Sequence, residues 1–434
     1  MADYFQLLSA FAVVFLALYY YFTLTFDFWK DRGVNGPQPV PVFGNIKDII
    51  MGKCALGTYT MKLYNEYKNE PMVGIFVRRS PHLVLIDLDR IKDVLIKDFS
   101  TFSNRATLIF ERTEPLSAHL FNLETERWRP LRTRLSPVFT SGKIKDMFPL
   151  ILECSNQLKE CLEKIVEKDG LLDCREIAAR FTTDVIGSCA FGISMNALSD
   201  EESEFRRMGK QIFKSNLATM LKELTDTLLA AQAFVFFAAG FETSSTTIGH
   251  ALYEMALNHD IQDKLRQEIN EFFAKNKGNW TYDDVKGMSY LDKVFKETLR
   301  KYPPGLLLRR KSINNYTFSG TKVSIPKDTA VLIPVYAIHK DPNIYPDPEV
   351  YDPERFNEDA VAARHPMAFL PFGDGPRNCI GARFAVYQTK IGLIQMLKNF
   401  KVDVCDETLI PYVQHPTSRV FAPIRSIILK ISKV

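Results

Sequence analysis

The sequence predicts a mainly α-helical protein with a small β part and an N-terminal transmembrane anchor. Helical patterns dominate from about Thr125 to Lys301, and short β-like runs flank that region on both sides. The stretch from Phe5 to Leu24 is apolar, aromatic and uncharged, and at about 1.5 Å per residue it can cross a hydrocarbon core of roughly 30 Å. With 434 residues, 46% of them hydrophobic, the chain can also bury a sizeable core.

The apolar stretch is predicted to be a retained signal anchor over residues 1–25. A cleaved signal peptide would need a basic region before the apolar segment and a small-residue cleavage site, and neither is present. Lys30 and Arg32 follow the stretch and Asp3 precedes it, so the positive-inside rule places the rest of the chain in the cytosol. Residues 26–44 are predicted to be a basic, Pro-rich hinge, and residues 45–434 a single globular domain.

Charge and cysteine usage exclude some classes of protein. The net charge is only +4, and there is no zinc-finger spacing, polybasic tract or RNA-binding signature, so no nucleic-acid partner is expected. Seven scattered cysteines, an odd number without a C-x-x-C pair, indicate reduced thiols in a cytosolic environment.

The elements follow one another in a mixed order. They are β-like runs at Val73–Arg78 and His82–Ile86, the long helical region, a mixed segment with β-like runs from Lys311 to Val335, an irregular loop from Asp341 to Phe356, a long helix from Ala382 to Asn399, and short closing strands.

A glycine-rich loop with one cysteine lies just before the last long helix. It reads F-x-x-G-x-R-x-C-x-G from Phe372 to Gly381, with Arg377 and Cys379 at the defined positions. The glycines allow close approach of the backbone, and the arginine and the following helix N-terminus favour an anionic sulfur. This chemistry suits a single thiolate held against a large flat cofactor. A buried structural cysteine in a glycine-rich turn is the alternative.

The spacing of this loop resembles the haem-binding loop of the cytochrome P450 family, and the order of elements resembles the P450 fold along nearly the whole chain. The resemblance implies haem b as cofactor, with Cys379 as the thiolate ligand of the iron, which favours cleavage of the O–O bond. It also implies that Arg377 pairs with a haem propionate, that Phe372 packs near the sulfur, and that Gly381 completes the cofactor loop.

A second motif lies in the apolar run at 231–250. Gly240 and a cluster of hydroxyl residues in the middle of this run are unfavourable in the interior of a helix. An ordinary core helix remains the alternative. The letters A-G-F-E-T resemble the family's oxygen-activation motif. The resemblance implies that Ala239 and Gly240 open a groove over the iron, that Thr243 hydrogen-bonds dioxygen or a nearby water, and that Glu242 relays protons.

Two further motifs resemble motifs of the cytochrome P450 family. Glu297 and Arg300 share one face of an apolar helix and match the E-x-x-R helix. With Arg355 they are implied to form a buried structural ion network. In W-x-x-x-R, Trp128 and Arg132 share a helix face and match the propionate-binding helix.

Arg310, after a Tyr-Pro-Pro turn, is the third predicted propionate partner, and Arg309 is nearly as plausible. A surface salt bridge is the alternative for any one of these arginines.

Substrate and electron-donor contacts are predicted by position. The substrate candidates are all apolar, implying a lipophilic substrate, and each is equally consistent with ordinary core: Ile109, Phe110, Leu120, Phe121, Phe234, Phe237, Ala238, Leu306, Leu307 and Leu308. No dinucleotide fingerprint is found, so electrons from NADPH are expected through a separate NADPH-cytochrome P450 reductase, with cytochrome b5 as a second candidate donor. A basic face is expected to dock the electron donor, and it consists of Arg129, Arg134, Lys143 and Lys145.

Two segments resemble insect microsomal P450s of the sixth family: FWKDRGVNGPQPVPVFGN and AAQAFVFFAAGFETSSTT. Members of that family are associated with xenobiotics and plant allelochemicals. Members carry several helices that roof the substrate pocket before the oxygen-activation helix. Only 24 residues separate Phe205 from Ala230 here, too few for two or three helices of about 11 residues with their loops. Part of the distal roof is therefore expected to be missing, with a junction near Leu221–Leu224 and a helix N-cap at Thr225–Asp226.

The resemblance implies an endoplasmic-reticulum, single-pass monooxygenase that inserts one atom of O2 into lipophilic molecules. One alternative is a catalytically impaired haem-binding variant without its pocket roof. Another is a reductase-independent haem-thiolate isomerase or dehydratase, which the Glu242–Thr243 pair disfavours. A non-enzymatic membrane protein with a coincidental motif is disfavoured by four ordered motifs.

Overall fold

Helices form most of the chain in the computed structural model, which describes residues 2–107, 111, 113–199, 227–276, 278, 280–418 and 420–434. The helices within these residues are α1 Ala2–Thr23, α2 Lys47–Ile50, α3 Leu56–Glu66, α4 Leu88–Lys92, α5 Thr125–Leu135, α6 Ser141–Lys168, α7 Cys174–Ile186, α8 Thr227–Leu257, α9 His259–Lys275, α10 Tyr282–Gly287, α11 Ser289–Lys301, α12 Val335–His339, α13 Glu358–Ala362 and α14 Ala382–Asn399. The predicted long helix at 382–399 is confirmed at both ends.

The strands of the described residues form three small sheets. They are β1 Met72–Val77, β2 Ser80–Leu85, β3 Leu171–Asp173, β4 Leu308–Lys311, β5 Tyr316–Thr317, β6 Ser324–Ile325, β7 Ala330–Ile333, β8 Phe400–Asp403 and β9 Ile428–Lys433. The largest sheet has the order β1-β2-β7-β4, in which only β2 and β7 run parallel. A second sheet has the order β3-β9-β8, and β5 pairs with β6. The β-like runs at Val73–Arg78 and His82–Ile86 are confirmed as β1 and β2, with bounds that differ by one residue for β1 and by up to two residues for β2.

The two largest hydrophobic cores among the described residues carry the fold. The larger core joins α6, α7, α8, α9 and α14 with the second sheet, and the other surrounds the four-stranded sheet. The long helix α6 contributes a regular inner stripe that includes Ile144, Ile151, Leu158 and Leu162, as expected of an amphipathic helix. In contrast, α8 is buried on most sides over its C-terminal half, so it runs through the interior and can carry groups to a central site.

The N-terminal helix α1 lies outside both cores. Residues Asp3–Thr23 are long and apolar enough to cross a membrane, and none of this stretch is buried. The chain after it is tied to the body, because the Trp29 indole is buried and its Nε1 donates to the Ile75 carbonyl at 3.0 Å. Part of the predicted hinge at 26–44 is thus packed against the four-stranded sheet.

One prediction is wrong, and several others concern residues that the structure does not describe. The strand β3 lies inside the region predicted as helical, and it forms because it pairs with Ile428–Lys430, more than 250 residues away in sequence. No local pattern reports such a pairing. The proposed junction near 221–224, the N-cap at Thr225–Asp226 and the substrate candidates Ile109 and Phe110 lie outside the described residues.

Candidate haem and oxygen-activation site

The cysteine loop is closed by backbone geometry that requires its glycines. The Cys379 amide donates to the Phe372 carbonyl at 2.9 Å. Gly373 and Gly375 both have positive φ, 67° and 70°, which side chains other than glycine rarely adopt. A Cβ on Gly375 would lie 1.9 Å from the Leu95 carbonyl oxygen. The loop then passes through Gly381 directly into α14.

The Cys379 side chain is accessible to solvent although the residue lies deep among protein atoms. Burial raises the pKa of its thiol, while the Gly381 amide, Arg132 and Arg105 act in the opposite direction and lower it. The two observations agree if the sulfur is surrounded by protein but open on one side. Such a thiol is placed to meet a ligand rather than to pack in a core.

Four guanidinium groups surround this loop, from Arg105, Arg132, Arg310 and Arg377. Burial lowers the pKa of Arg310 to about 10, and burial with the charges of Arg310 and Arg132 lowers the pKa of Arg377 to about 9. The pKa values of Arg105 and Arg132 are also lowered, chiefly by burial. Within the described part of the chain, none of the four forms an ion pair with Asp or Glu.

Two of these guanidinium groups have buried N–H donors without a partner, Arg310 Nε and Arg377 Nη1. The rest of Arg377 is held firmly, since Nε donates to the Ser103 carbonyl at 2.8 Å and its guanidinium lies 4.1 Å from the centre of the Trp128 ring. Buried donors are rarely left unsatisfied. A cluster of four cations, two of which have open donors, therefore fits the two carboxylates of a haem group.

The structure separates Arg310 from Arg309. On β4 successive side chains point to opposite faces, so Arg310 is buried while Arg309 is exposed. Arg310 acts electrostatically on Arg105 and Arg377 in the cluster, whereas Arg309 acts on His82. Arg310 is thus the better candidate of the two predicted positions.

Arg132 is placed by the cysteine loop itself. Its Nη1 and Nη2 donate to the backbone carbonyl and the side-chain oxygen of Asn378, each at 2.9 Å. Trp128, four residues earlier on α5, is buried. Trp128 and Arg132, the predicted pair, therefore lie at the same site, next to the cysteine loop.

Arg105 belongs to this cluster and was missed by the sequence analysis. Its Nη2 donates to the Arg377 carbonyl at 3.0 Å, and its guanidinium lies 3.7 Å from the centre of the Phe121 ring. It lies in an irregular segment, and no spacing or periodicity could have singled it out. Only the fold brings it to the cysteine loop.

The predicted oxygen-activation segment lies in the middle of α8, beside the cysteine loop. Phe236, one turn before this segment, packs in the same cluster as Trp128 and Ile380, the residue after Cys379. Ala239 is exposed and Gly240 and Thr243 are half-buried, although most of the residues that follow on the helix are buried. These three residues form an accessible strip.

Neighbouring elements hold the backbone of this segment. Gln388 Nε2 of α14 donates to the Gly240 carbonyl at 3.0 Å, and Thr182 Oγ1 of α7 donates to the Phe241 carbonyl at 3.0 Å. A Cβ on Gly240 would lie 2.7 Å from Ile186 Cδ1. The glycine thus allows α8 to pack closely on α7.

Thr243 and Glu242 point in different directions. The Thr243 hydroxyl is exposed and donates to the Ala239 carbonyl at 2.8 Å. The Glu242 side chain is buried and forms an ion pair with Arg175 of α7. The hydroxyl is therefore available to the accessible strip, whereas the carboxylate is held on the neighbouring helix.

The predicted ion network forms. Glu297 and Arg300 are fully buried, and Arg300 Nε and Nη2 donate to the carboxylate at 2.7 and 2.8 Å. The Asp352 amide also donates to Glu297 at 2.9 Å, and Arg355 Nε lies 3.7 Å away. Arg300 Nη1 donates to the His339 carbonyl at 3.0 Å. The network thus joins three segments, α11, the end of α12 and the segment around Asp352 and Arg355.

The substrate candidates are not all brought together. Leu308 is half-buried, and it lies near the cysteine loop, since a Cβ on Gly373 would lie 3.5 Å from Leu308 Cδ2. Phe237 instead packs against Phe241 in the larger core, with ring centres 5.1 Å apart. The remaining described candidates differ in burial. Leu120, Ala238 and Leu306 are buried, Phe234 and Leu307 are half-buried, and Phe121 is exposed.

The basic residues predicted to dock an electron donor, Arg129, Arg134, Lys143 and Lys145, are all exposed. Two of them already have acidic neighbours, since Lys143 pairs with Asp146 at 3.2 Å and Lys145 with Asp283 at 2.9 Å. Exposed pairs of this kind are weak, so they do not prevent contact with another protein.

Comparison with known proteins identifies the family. The cytochrome P450 family profile matches residues 34–221 and 214–431. The chain belongs to the cytochrome P450 family. Among its relatives, cytochrome P450 6a2 of Drosophila melanogaster is 37% identical over an alignment that covers 96% of this chain and 97% of the relative. Cytochrome P450 6A1 of Musca domestica is 38% identical, with 99% and 98% covered.

Membership of the cytochrome P450 family supplies the general chemistry. The protein is a haem-thiolate monooxygenase that receives NADPH-derived electrons through a reductase and acts on small molecules. An open thiol within a cluster of described arginines that form no ion pair with Asp or Glu, beside the accessible strip of α8, fits that cofactor.

Proposed function

We propose that this P450 inserts one oxygen atom from O2 into lipophilic small molecules, such as xenobiotics, plant allelochemicals or endogenous lipids, at a haem held by Cys379. The observation that carries the proposal is the accessible Cys379 sulfur next to buried arginine donors that have no partner. The apolar character of most nearby side chains, such as Leu308 and Phe236, supports a lipophilic substrate.

In this proposal the chain's own residues bind the haem and orient the groups that react beside it. Cys379 gives a thiolate to the iron, while Arg105, Arg132, Arg310, Arg377 and the Trp128 indole hold the propionates. The bound haem supplies the reductive activation of dioxygen. Next to it, the Thr243 hydroxyl would orient a hydrogen-bonded water or dioxygen, and Glu242 would relay protons towards that hydroxyl. Gly381 closes the loop, and Ala239 and Gly240 leave the strip open.

The proposal also places the protein in the cell. Residues 1–25 would cross the endoplasmic-reticulum membrane once, residues 26–44 would orient the body, and residues 45–434 would form the cytosolic catalytic domain. The apolar helix α1, of which the stretch Asp3–Thr23 has no buried part, is followed by Lys30 and Arg32, and this supports the arrangement. The basic face around α5 and α6 would dock the reductase, with cytochrome b5 as a second donor.

The chain is also proposed to lack part of the distal roof. The alignment with cytochrome P450 6a2 is 493 residues long, more than the 434 residues of this chain. The two matched segments of the family profile meet at residues 214–221. Both observations support a loss near the predicted junction. Since the roof excludes water from the site, we expect weak turnover that is poorly coupled to NADPH use.

The test is the carbon monoxide difference spectrum of the reduced, membrane-expressed protein. We expect the red-shifted Soret band of thiolate-ligated haem, its loss in Cys379→Ser, and its retention in the matched control Cys54→Ser. A band at the shorter wavelength of non-thiolate haem in the unmodified protein would overturn the assignment of Cys379. Product formed per NADPH, with 7-ethoxycoumarin as a lipophilic probe, then distinguishes a coupled enzyme from an impaired variant.

A further inference from the structure

Gln232, in the second turn of α8, connects this helix to the segment 117–122. Its side chain is buried, Oε1 accepts a hydrogen bond from the Leu120 amide at 2.8 Å, and Nε2 donates to the Ala118 carbonyl at 3.4 Å. One orientation of the side-chain amide makes both contacts, because its oxygen meets a donor and its nitrogen meets an acceptor. The Gln232 side chain therefore holds the segment at two points.

The position of Gln232 on α8 relates this contact to the accessible strip. Ala239 and Thr243 follow Gln232 by seven and eleven residues, and at 3.6 residues per turn all three lie on one side of the helix. Phe236, one turn after Gln232, packs in the same hydrophobic cluster as Leu120. The segment is thus fixed to the side of α8 that carries the strip.

The same segment is joined to the cysteine loop by Arg105. Arg105 Nη1 donates to the Phe121 carbonyl at 3.1 Å, and Nη2 donates to the Arg377 carbonyl at 3.0 Å. Phe121 lies in the segment that Gln232 holds, and Arg377 lies two residues before Cys379. One guanidinium therefore bridges that segment and the loop that carries the sulfur.

Hydrogen bonds within the segment make it move as a unit. Asn122 Nδ2 donates to the Ser117 carbonyl at 3.0 Å, and the Asn122 amide donates to the His119 carbonyl at 2.9 Å. These bonds close the segment on itself. A displacement at its contacts with α8 is therefore carried to the Phe121 carbonyl, which is the acceptor for Arg105.

We propose that Gln232 is a positioning residue for the haem site: it fixes the segment 117–122 against α8, and through that segment it fixes Arg105 and the cysteine loop. This inference rests on the proposed haem site at Cys379. The Arg105 guanidinium keeps its two carbonyl partners, and its charge stays directed at the propionates, while the segment remains against the helix. Gln232 thus acts on the cofactor through Arg105.

Gln232→Leu keeps the approximate size of the side chain and removes both hydrogen bonds. The segment then loses its polar attachment to α8, and Arg105 loses a fixed acceptor at Phe121. Haem release should become roughly three- to tenfold faster, in the range that substitutions along a coupled network produce. Gln232→Glu should restore retention, because a buried carboxyl group tends to stay protonated and then offers one donor and one acceptor, as the amide does.

The experiment uses the full-length holoenzyme in detergent micelles. Haem transfer to excess apomyoglobin measures the release rate, and the carbon monoxide spectrum measures the share of thiolate-ligated haem. Gln262→Leu is the matched control, because Gln262 is a buried glutamine of α9 that donates to the Met255 and Val402 carbonyls, each at 2.9 Å. The control should lower thermal stability and leave both readouts unchanged, whereas Gln232→Leu should change both. Equal haem release from Gln232→Leu and the control would overturn the inference.

A double-mutant cycle tests the route through Arg105. Arg105→Gln alone should speed haem release, and Gln232→Leu added to it should have little further effect, because the bridge is already lost. If the two effects multiply, the residues act independently, which contradicts the proposal. A normal thiolate band with independent effects refutes this inference alone, whereas an unmodified protein without the thiolate band refutes the proposed function as well.

Discussion

Glu297→Gln should destabilise the protein much more than the same substitution at an exposed glutamate. The Glu297 carboxylate is fully buried and accepts two hydrogen bonds from Arg300, at 2.7 and 2.8 Å, and one from the Asp352 amide at 2.9 Å. Neutralising it leaves the Arg300 cation in the interior without its counter-ion. The His339 carbonyl remains as a partner at 3.0 Å, but it carries no charge.

The magnitude follows from these contacts. Two charge-assisted hydrogen bonds contribute about 1.5–3 kcal/mol each, and breaking a buried ion pair by removing one partner costs about 3–5 kcal/mol. A loss of about 4 kcal/mol in the free energy of unfolding is therefore expected. That is a large part of the roughly 5–15 kcal/mol by which native proteins are stable.

Glu354→Gln is the matched control. Glu354 lies beside Arg355 and contacts Lys264 and Lys293 at 2.6 and 3.0 Å, but its side chain is 39% exposed. Exposed pairs contribute about 0–1 kcal/mol. Urea unfolding of both holoenzymes, followed by the Soret band and by circular dichroism, gives the comparison. If Glu297→Gln unfolds at the same urea concentration as Glu354→Gln, the buried network is not a source of stability.

Three further predictions concern the site and its surroundings. Gly240→Val should lower thermal stability by about 1–3 kcal/mol, measured by calorimetry, because a Cβ there would lie 2.7 Å from Ile186 Cδ1. Arg310→Gln should weaken haem retention by roughly tenfold, from the loss of one charge-assisted hydrogen bond, whereas Arg309→Gln should leave it unchanged in a haem-transfer assay. Because burial lowers the pKa of His250 to about 3, well below its ordinary value, stability should fall as the pH drops from about 6.5. His250→Phe should remove about 2 kcal/mol of the loss between pH 7 and pH 5.

Each of these predictions has a contradicting result. Normal stability of Gly240→Val would mean that α8 and α7 are not in close contact. Equal haem loss from both arginine variants would mean that β4 does not place the two side chains differently. An unchanged pH profile in His250→Phe would mean that the ring is charged in the folded protein, or that another group causes the acid sensitivity.

The sequence by itself determined the family, the motifs and the regular elements that carry them. The helix at 382–399 and the strands β1 and β2 follow from local periodicity. Spacing on one helix also placed Glu297 beside Arg300, because residues three apart share a helix face. Such features depend on neighbours in sequence, so they can be predicted without a fold.

The tertiary structure decided which distant side chains meet. Arg105 joins the cysteine loop and Arg175 reaches Glu242 only because irregular segments and separate helices pack together. The choice of Arg310 over Arg309 required the register of β4 against β7. Contacts of this kind depend on loop closure and packing over long separations in sequence, and no local pattern carries that information.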